Sequence, residues 1–233
     1  MTKAVFFDWF NTLAQYYPPR EEAHANACGK VGIEVEKERL SPGILLADHY
    51  YIDENTRFPL RKRSLQEQME VYAQMERIVL REAGVNISDQ LALTVIQEVG
   101  KIFANRDFVL FDDALAALDL LKQRGLILGI ISNIDHDLVP VCQELGLAVY
   151  LGVIVTSREV GSEKPQPPIF LAAVERADVE PSEAVYVGDH YGTDVVGAQE
   201  VGMKGVLLDR HDMFSHITGC LRIRTLTELV DCM

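Results

Sequence analysis

Residues 4–13 read Ala4-Val5-Phe6-Phe7-Asp8-Trp9-Phe10-Asn11-Thr12-Leu13, an apolar run of strand length that ends in a carboxylate and then in a turn-forming Asn-Thr pair. Apolar residues without alternation fit a strand covered on both faces, the condition of a parallel sheet. Asp8 then stands at the carboxyl end of that strand, the edge at which open α/β sheets keep their chemistry. A chain that starts this way needs further parallel strands, joined by helical crossovers, to cover its first one.

Those strands come late. From about residue 20 to 105 the apolar spacing is helical. Ser64-Leu65-Gln66-Glu67 is a capping box opening a helix through Leu65, Met69, Tyr72, Val79 and Leu80 that stops at Gly84. Pro19, Ser41-Pro42 and Ser88-Asp89 mark other starts, so four or five helices precede residue 106. From Asp112 helix and strand alternate. A helix over Ala114 to Arg124 closes at Gly125, Leu126 to Ile131 is a strand, and a helix follows Asp135 until Gly146. Short strands follow at Val153 to Val155, Ala184 to Val187 and Gly205 to Leu208, with helices beginning near Pro168 and after Asp194. Five parallel strands with crossovers predict a doubly wound, Rossmann-like α/β core over residues 1–14 and 106–233. Residues 15–105 are then an inserted α-helical cap, with substrate held between cap and core.

At 233 residues the chain is long enough for both parts. With 22 Lys+Arg against 35 Asp+Glu the formal net charge is -13, which repels phosphate backbones and anionic membranes. No nucleic-acid or membrane partner is expected. An anionic substrate needs a local cation or a bound metal to enter such a field. Cys28, Cys142, Cys220 and Cys232 are scattered without metal-ligand spacing, as in a reduced, cytoplasmic protein. No apolar stretch reaches membrane-spanning length and no signal peptide leads the first strand.

The strand ends carry a consistent set of groups: Asp8, Ser132-Asn133, and Gly188-Asp189 with Asp194 five residues on, while Gly161-Ser162-Glu163-Lys164-Pro165 precedes the helix near Pro168. Their types fit phosphoryl transfer. A carboxylate attacks phosphorus, a hydroxyl and backbone N–H groups hold an oxygen, a lysine neutralises charge, and further carboxylates hold Mg2+.

In order along the chain, Asp8 to Leu13, Ser132-Asn133, Lys164-Pro165 and Gly188-Asp189 to Asp194 resemble the four motifs of the haloacid dehalogenase-like hydrolases. The position of the helical insert resembles that of the family's helical-cap members. The resemblance implies an Asp8 nucleophile, with Ser132 and Lys164 steadying the transferred group. It also implies Thr12 and Asn133 beside the substrate and Mg2+ held by Asp8, the Phe10 carbonyl, Asp189 and Asp194. The expected activity is a Mg2+-dependent phosphatase acting on a small phosphorylated metabolite. Arg39 and the cluster Arg57, Arg61, Lys62 and Arg63, with Arg61 foremost, are candidates for a substrate's distal anion.

Phe10 departs from the pattern. Family phosphatases usually carry Asp there as general acid and base, and phenylalanine has no proton to give. His190, Tyr16, Tyr17 and His24 are the candidate replacements. An aromatic residue at this position also resembles the family's 2-haloacid dehalogenases, which work through an aspartyl ester and need no leaving-group proton. A noncatalytic binding protein on the same fold is the third reading.

Overall fold

β1 (Ala4–Phe7) is buried at every position, so its apolar run has no face left for solvent. The structure is a computed structural model that describes residues 1–104 and 106–233. It divides into two units, residues 1–15 with 108–233, and residues 16–107. After the loop that carries Asp8 the chain leaves the first unit along β2 (Ala14–Tyr17).

The second unit is helical. It holds α1 (Arg20–Lys30), α2 (Ser41–Arg57), α3 (Leu65–Glu82) and α4 (Asp89–Phe103). The capping box opens α3: Ser64 Oγ accepts the Glu67 N–H while the Glu67 carboxylate accepts the Ser64 N–H at 2.8 Å. Ser88 caps α4 in the ordinary way, accepting from the Leu91 N–H. Its core gathers Ala27, Leu40, Ile44, Val79, Leu80 and Val95. α2 and α3 meet where Gly43 lies against Val79, since a Cβ at Gly43 would sit 2.4 Å from the Val79 carbonyl. The expected insert, 15–105, covers nearly this stretch, and its last residue lies outside the described residues. β3 (Asp107–Leu110) then pairs with β2 in a two-stranded sheet. Neither of these strands stands out in the sequence pattern.

The remaining chain completes the first unit with α5 (Ala114–Gln123), β4 (Ile127–Ser132), α6 (Val139–Glu144), β5 (Leu151–Thr156), α7 (Ser157–Val160) and α8 (Pro167–Arg176). β6 (Ala184–Gly188), α9 (Gly197–Glu200), β7 (Lys204–Leu208), β8 (Leu221–Ile223) and α10 (Leu226–Asp231) follow. The sheet has six strands in the order β5-β4-β1-β6-β7-β8, every neighbour parallel. The expectation of five strands therefore falls one short. β8 is a three-residue edge strand reading Leu-Arg-Ile, too short for its pattern to show.

Alternate residues of the central strands feed two cores. Val5, Phe7, Val185 and Val187 pack with Leu118, Leu121 and Leu229 on one face. Ala4, Phe6, Ala184 and Tyr186 pack with Ile169, Phe170 and Ala173 on the other. Each fully buried Phe stabilises the sheet by roughly 1.5–3 kcal/mol. A second correction concerns Asp194, after which a helix was expected. A π-helical turn at Tyr191–Val196 already contains it and leads into α9. Among the described residues no helix is long and apolar enough to cross a membrane.

Candidate active site

β1 lies between β4 and β6, so the ends of these strands flank Asp8 from both sides. The Asp8 N–H donates to the Val187 carbonyl at 2.8 Å, which continues the β1–β6 ladder up to the carboxylate itself. Ser132 closes β4, and Gly188-Asp189 closes β6, all of them buried. The order of strands reverses about β1, and the crevice of an open α/β sheet lies at such a point.

Asp8, Asp189 and Asp194 bring one carboxylate oxygen each to within 4.8 Å of one another. Lys164 lies among them. Its Nζ donates to Asp8 Oδ1 at 2.6 Å, to Asp194 Oδ1 at 2.7 Å and to the Tyr186 hydroxyl at 2.8 Å. Asp194 Oδ2 accepts the His190 N–H at 2.9 Å. A Cβ at Gly188 would fall 2.3 Å from that same oxygen, so only glycine at the end of β6 leaves room for the Asp194 carboxylate.

Burial raises the Asp8 pKa, Lys164 pulls it back and Asp194 raises it again, leaving it at about 6. Burial alone would lower the Lys164 pKa, but Asp194 and Asp8 outweigh it and hold the ammonium above the ordinary lysine value. Burial, then the charges of Asp194, Asp8 and Asp189, push the Tyr186 phenol well above its ordinary value. Tyr186 therefore stays a neutral O–H.

Three buried carboxylates gather around the one Lys164 ammonium. A divalent cation fits that all-oxygen donor set. Asp8, Asp189 and Asp194 would hold it, and both Asp194 oxygens also accept hydrogen bonds from the protein.

The raised Asp8 pKa has a consequence for stability. An Asp ordinarily titrates near 3.8, so between that pH and about 6 the folded chain binds a proton that the unfolded chain has lost. Stability falls as pH rises through this window. Asp8→Asn removes the effect and should stabilise the metal-free protein at pH 7.5, by on the order of 1–3 kcal/mol, with the gain gone at pH 4. Thermal melts of both proteins in EDTA at the two pH values check this.

The other sequence candidates fall into place one by one. Asn133 spends its amide on Lys164, accepting the Lys164 N–H at 2.6 Å and donating to the Lys164 carbonyl at 2.9 Å. Thr12 is fully buried, its Oγ1 has no hydrogen-bond partner, and its carbonyl accepts from Arg210 at 2.8 Å. Phe10 is half-buried and packs against the core cluster around Val5 and Phe7. His190 is buried, and its Nδ1 accepts the Thr193 N–H at 3.2 Å, which puts the neutral ring's proton on Nε2.

The remaining candidates belong to the helical unit. Arg39 is exposed, its guanidinium beside Gly84, and Arg61 is exposed on a 3-10 turn, Leu60–Lys62. Arg57 and Arg63 both pair with Glu54, and Arg63 Nε also donates to the Phe58 carbonyl at 3.0 Å. These two close the end of α2. His24 Nδ1 lies 3.2 Å from buried Glu76, Tyr16 is tilted against Phe103, and Tyr17 is exposed.

Sequence reasoning missed Tyr186 and Arg210. Tyr186 is an isolated phenol inside an apolar strand, and a buried Tyr needs a hydrogen-bond partner, so a signal was present. Arg210 pairs with Asp113 through both terminal nitrogens, at 2.9 and 3.0 Å, and anchors the loop after Asp8. Nothing local in the sequence announces that contact.

Acids and a lysine gathered at the carboxyl edge of a doubly wound sheet define an α/β enzyme that works at its strand ends. A family model, haloacid dehalogenase-like hydrolase, matches residues 2–202, and the chain belongs to that family of hydrolases. Over 102 residues it is 38% identical to haloacid dehalogenase-like hydrolase domain-containing protein 3 of Danio rerio, a match covering 44% of this chain and 42% of that protein. The chain thus spans less than half the length of that relative. It is 31% identical over 219 residues to a glyceraldehyde 3-phosphate phosphatase of Methanopyrus kandleri, covering 90% and 85% of the two chains. The fold is like that of the magnesium-bound HAD-hydrolase YfnB of Bacillus subtilis, with a TM-score of 0.64, 19% identity and coverage of 99% and 98%.

Proposed function

We propose that this chain is a Mg2+-dependent phosphatase of a small phosphorylated metabolite, working in the cytoplasm, with Asp8 as nucleophile. The observation that carries the reading is the Lys164 ammonium on Asp8 inside a buried cluster of three carboxylates, Asp8, Asp189 and Asp194. Asp8 forms a bond to phosphorus as the bond from phosphorus to the leaving oxygen breaks, and water then releases phosphate from the aspartyl-phosphate. Lys164 keeps the attacking carboxylate ionised, and the unpartnered Thr12 hydroxyl and Ser132 are the groups for the nonbridging oxygens. Asp8, Asp189, Asp194 and the Phe10 carbonyl would hold Mg2+, which would supply charge neutralisation for the phosphoryl group. The Methanopyrus kandleri relative named glyceraldehyde 3-phosphate phosphatase supports phosphate ester hydrolysis as the reaction.

Phe10 restricts the reaction to good leaving groups, because its side chain has no proton to give. The test is phosphate release from 4-nitrophenyl phosphate and acetyl phosphate, with and without Mg2+, for the native chain and Asp8→Asn. Turnover that needs both Mg2+ and Asp8 is expected. Turnover indifferent to Asp8→Asn, or halide released from 2-chloropropionate in place of phosphate, removes the reading.

A further inference from the structure

We propose that Tyr186 is a positioning residue, whose hydroxyl fixes the Lys164 ammonium between Asp8 and Asp194. The lysine Nζ has three protons and three acceptors, Asp8 Oδ1 at 2.6 Å, Asp194 Oδ1 at 2.7 Å and Tyr186 Oη at 2.8 Å. Each proton has its own partner. The first two acceptors are carboxylates and the third is a neutral hydroxyl, so it sets direction without adding charge.

The Tyr186 hydroxyl is itself held. Its proton goes to the Ile131 carbonyl at 2.9 Å, with Asp194 Oδ1 at 3.3 Å as the other acceptor in reach. Ile131 directly precedes Ser132 at the end of β4, while Tyr186 is on β6. One phenol therefore ties the lysine to the two strands that flank β1. Phe170 on α8 packs edge-on to the Tyr186 ring, centroids 5.3 Å apart. Asn133 holds the Lys164 backbone from the other end. Backbone clamp and tip clamp together leave the side chain one orientation. Tyr186, Lys164 and Asp194 are all buried, so no water stands ready to replace a lost acceptor.

Tyr186→Phe deletes the hydroxyl and keeps the ring, which leaves one lysine proton without its acceptor and removes the bond to the Ile131 carbonyl. The consequence for turnover rests on the phosphatase reading, and the position of the ammonium does not. The experiment is accordingly a 15N-lysine spectrum of the full chain, in which the Lys164 ammonium is identified as the signal missing from Lys164→Met. A sharp, slowly exchanging Lys164 signal is expected in the native protein and in the packing control Phe170→Leu. In Tyr186→Phe it should broaden or vanish. With 4-nitrophenyl phosphate, kcat of Tyr186→Phe should drop about tenfold or more while KM stays within about twofold. A native protein without a protected Lys164 signal overturns the proposal, as does a signal unchanged by Tyr186→Phe. Equal losses of the signal in Phe170→Leu would assign the effect to packing and overturn it too. A native chain inert toward every phosphate ester would remove the phosphatase reading, and the spectra would then decide the role of Tyr186 alone.

Discussion

Lys164→Met is expected to abolish turnover, by at least about 10³-fold, and to unfold at a clearly lower temperature than the native chain. Both effects come from the same bonds. Lys164 is bonded to Asp8 and Asp194 at 2.6 and 2.7 Å, with 4% of its side chain exposed. Removing one partner of a buried charge set costs about 3–5 kcal/mol, because the carboxylates left behind are neither solvated nor paired. For a chain of this size that is a drop of roughly 6–20 °C in Tm. The Asp8 carboxyl, already pushed up to about 6, would rise further without the lysine and stay protonated at neutral pH. A protonated carboxyl is a poor nucleophile. Mg2+ should return part of the lost stability by binding only the folded chain, and none of the lost turnover. Melts and phosphate release at pH 7.5, each with and without Mg2+, separate the two. A variant within tenfold of native activity would show that Asp8 does not depend on Lys164.

The sheet was legible wherever a strand is buried on both faces. β1 and the buried stretches of β4, β6 and β7 read as near-continuous apolar runs, since burial on both sides leaves little polar alternation to confuse the pattern. Helix starts were legible at Ser64 and Ser88, where the cap is a side chain bonding a backbone N–H three residues on. β8 was not, being three residues long with Arg222 at its centre. The turn around Asp194 was misplaced because nothing in Tyr191-Gly192-Thr193 separates a π-helical turn from a loop. Asp8, Lys164, Asp189 and Asp194 were named from strand ends and motif order, and the fold does gather them. What stayed hidden is how the lysine is held. Tyr186 and Asn133 reach it over 22 and 31 residues, and Arg210 reaches the Thr12 carbonyl over 198. Pairings over such separations leave no periodic trace. The helical unit presents the opposite difficulty: its helices were readable, but Arg57 and Arg63 serve Glu54, and charge alone did not distinguish a structural arginine from one that meets a ligand.

Phe10→Asp is expected to raise turnover of an alkyl phosphate such as glycerol phosphate by roughly 10²–10⁴-fold, and that of 4-nitrophenyl phosphate by less than about tenfold. The contrast follows from the leaving groups. Nitrophenolate departs as an anion without help, whereas an alkoxide must be protonated as the phosphorus–oxygen bond breaks. In the native chain the Phe10 position gives only a backbone to the loop, and its ring packs against the core beside β1. The substitution therefore has a cost. Loss of that half-buried ring should lower stability by about 1–3 kcal/mol, which melts will register independently of activity. The same carboxylate can later accept the proton of the water that attacks the aspartyl-phosphate, so both halves of the reaction gain. kcat/KM for the two substrates, measured with saturating Mg2+, reads the difference directly. A variant that folds and binds Mg2+ but gains nothing on either ester would mean that Asp8 is not set for attack on phosphorus, and a ligand-binding role for the same crevice would take the place of hydrolysis. A gain confined to the alkyl ester would instead show that the native chain holds every part of the phosphoryl-transfer site except the proton donor, with its substrates restricted to those that leave unaided.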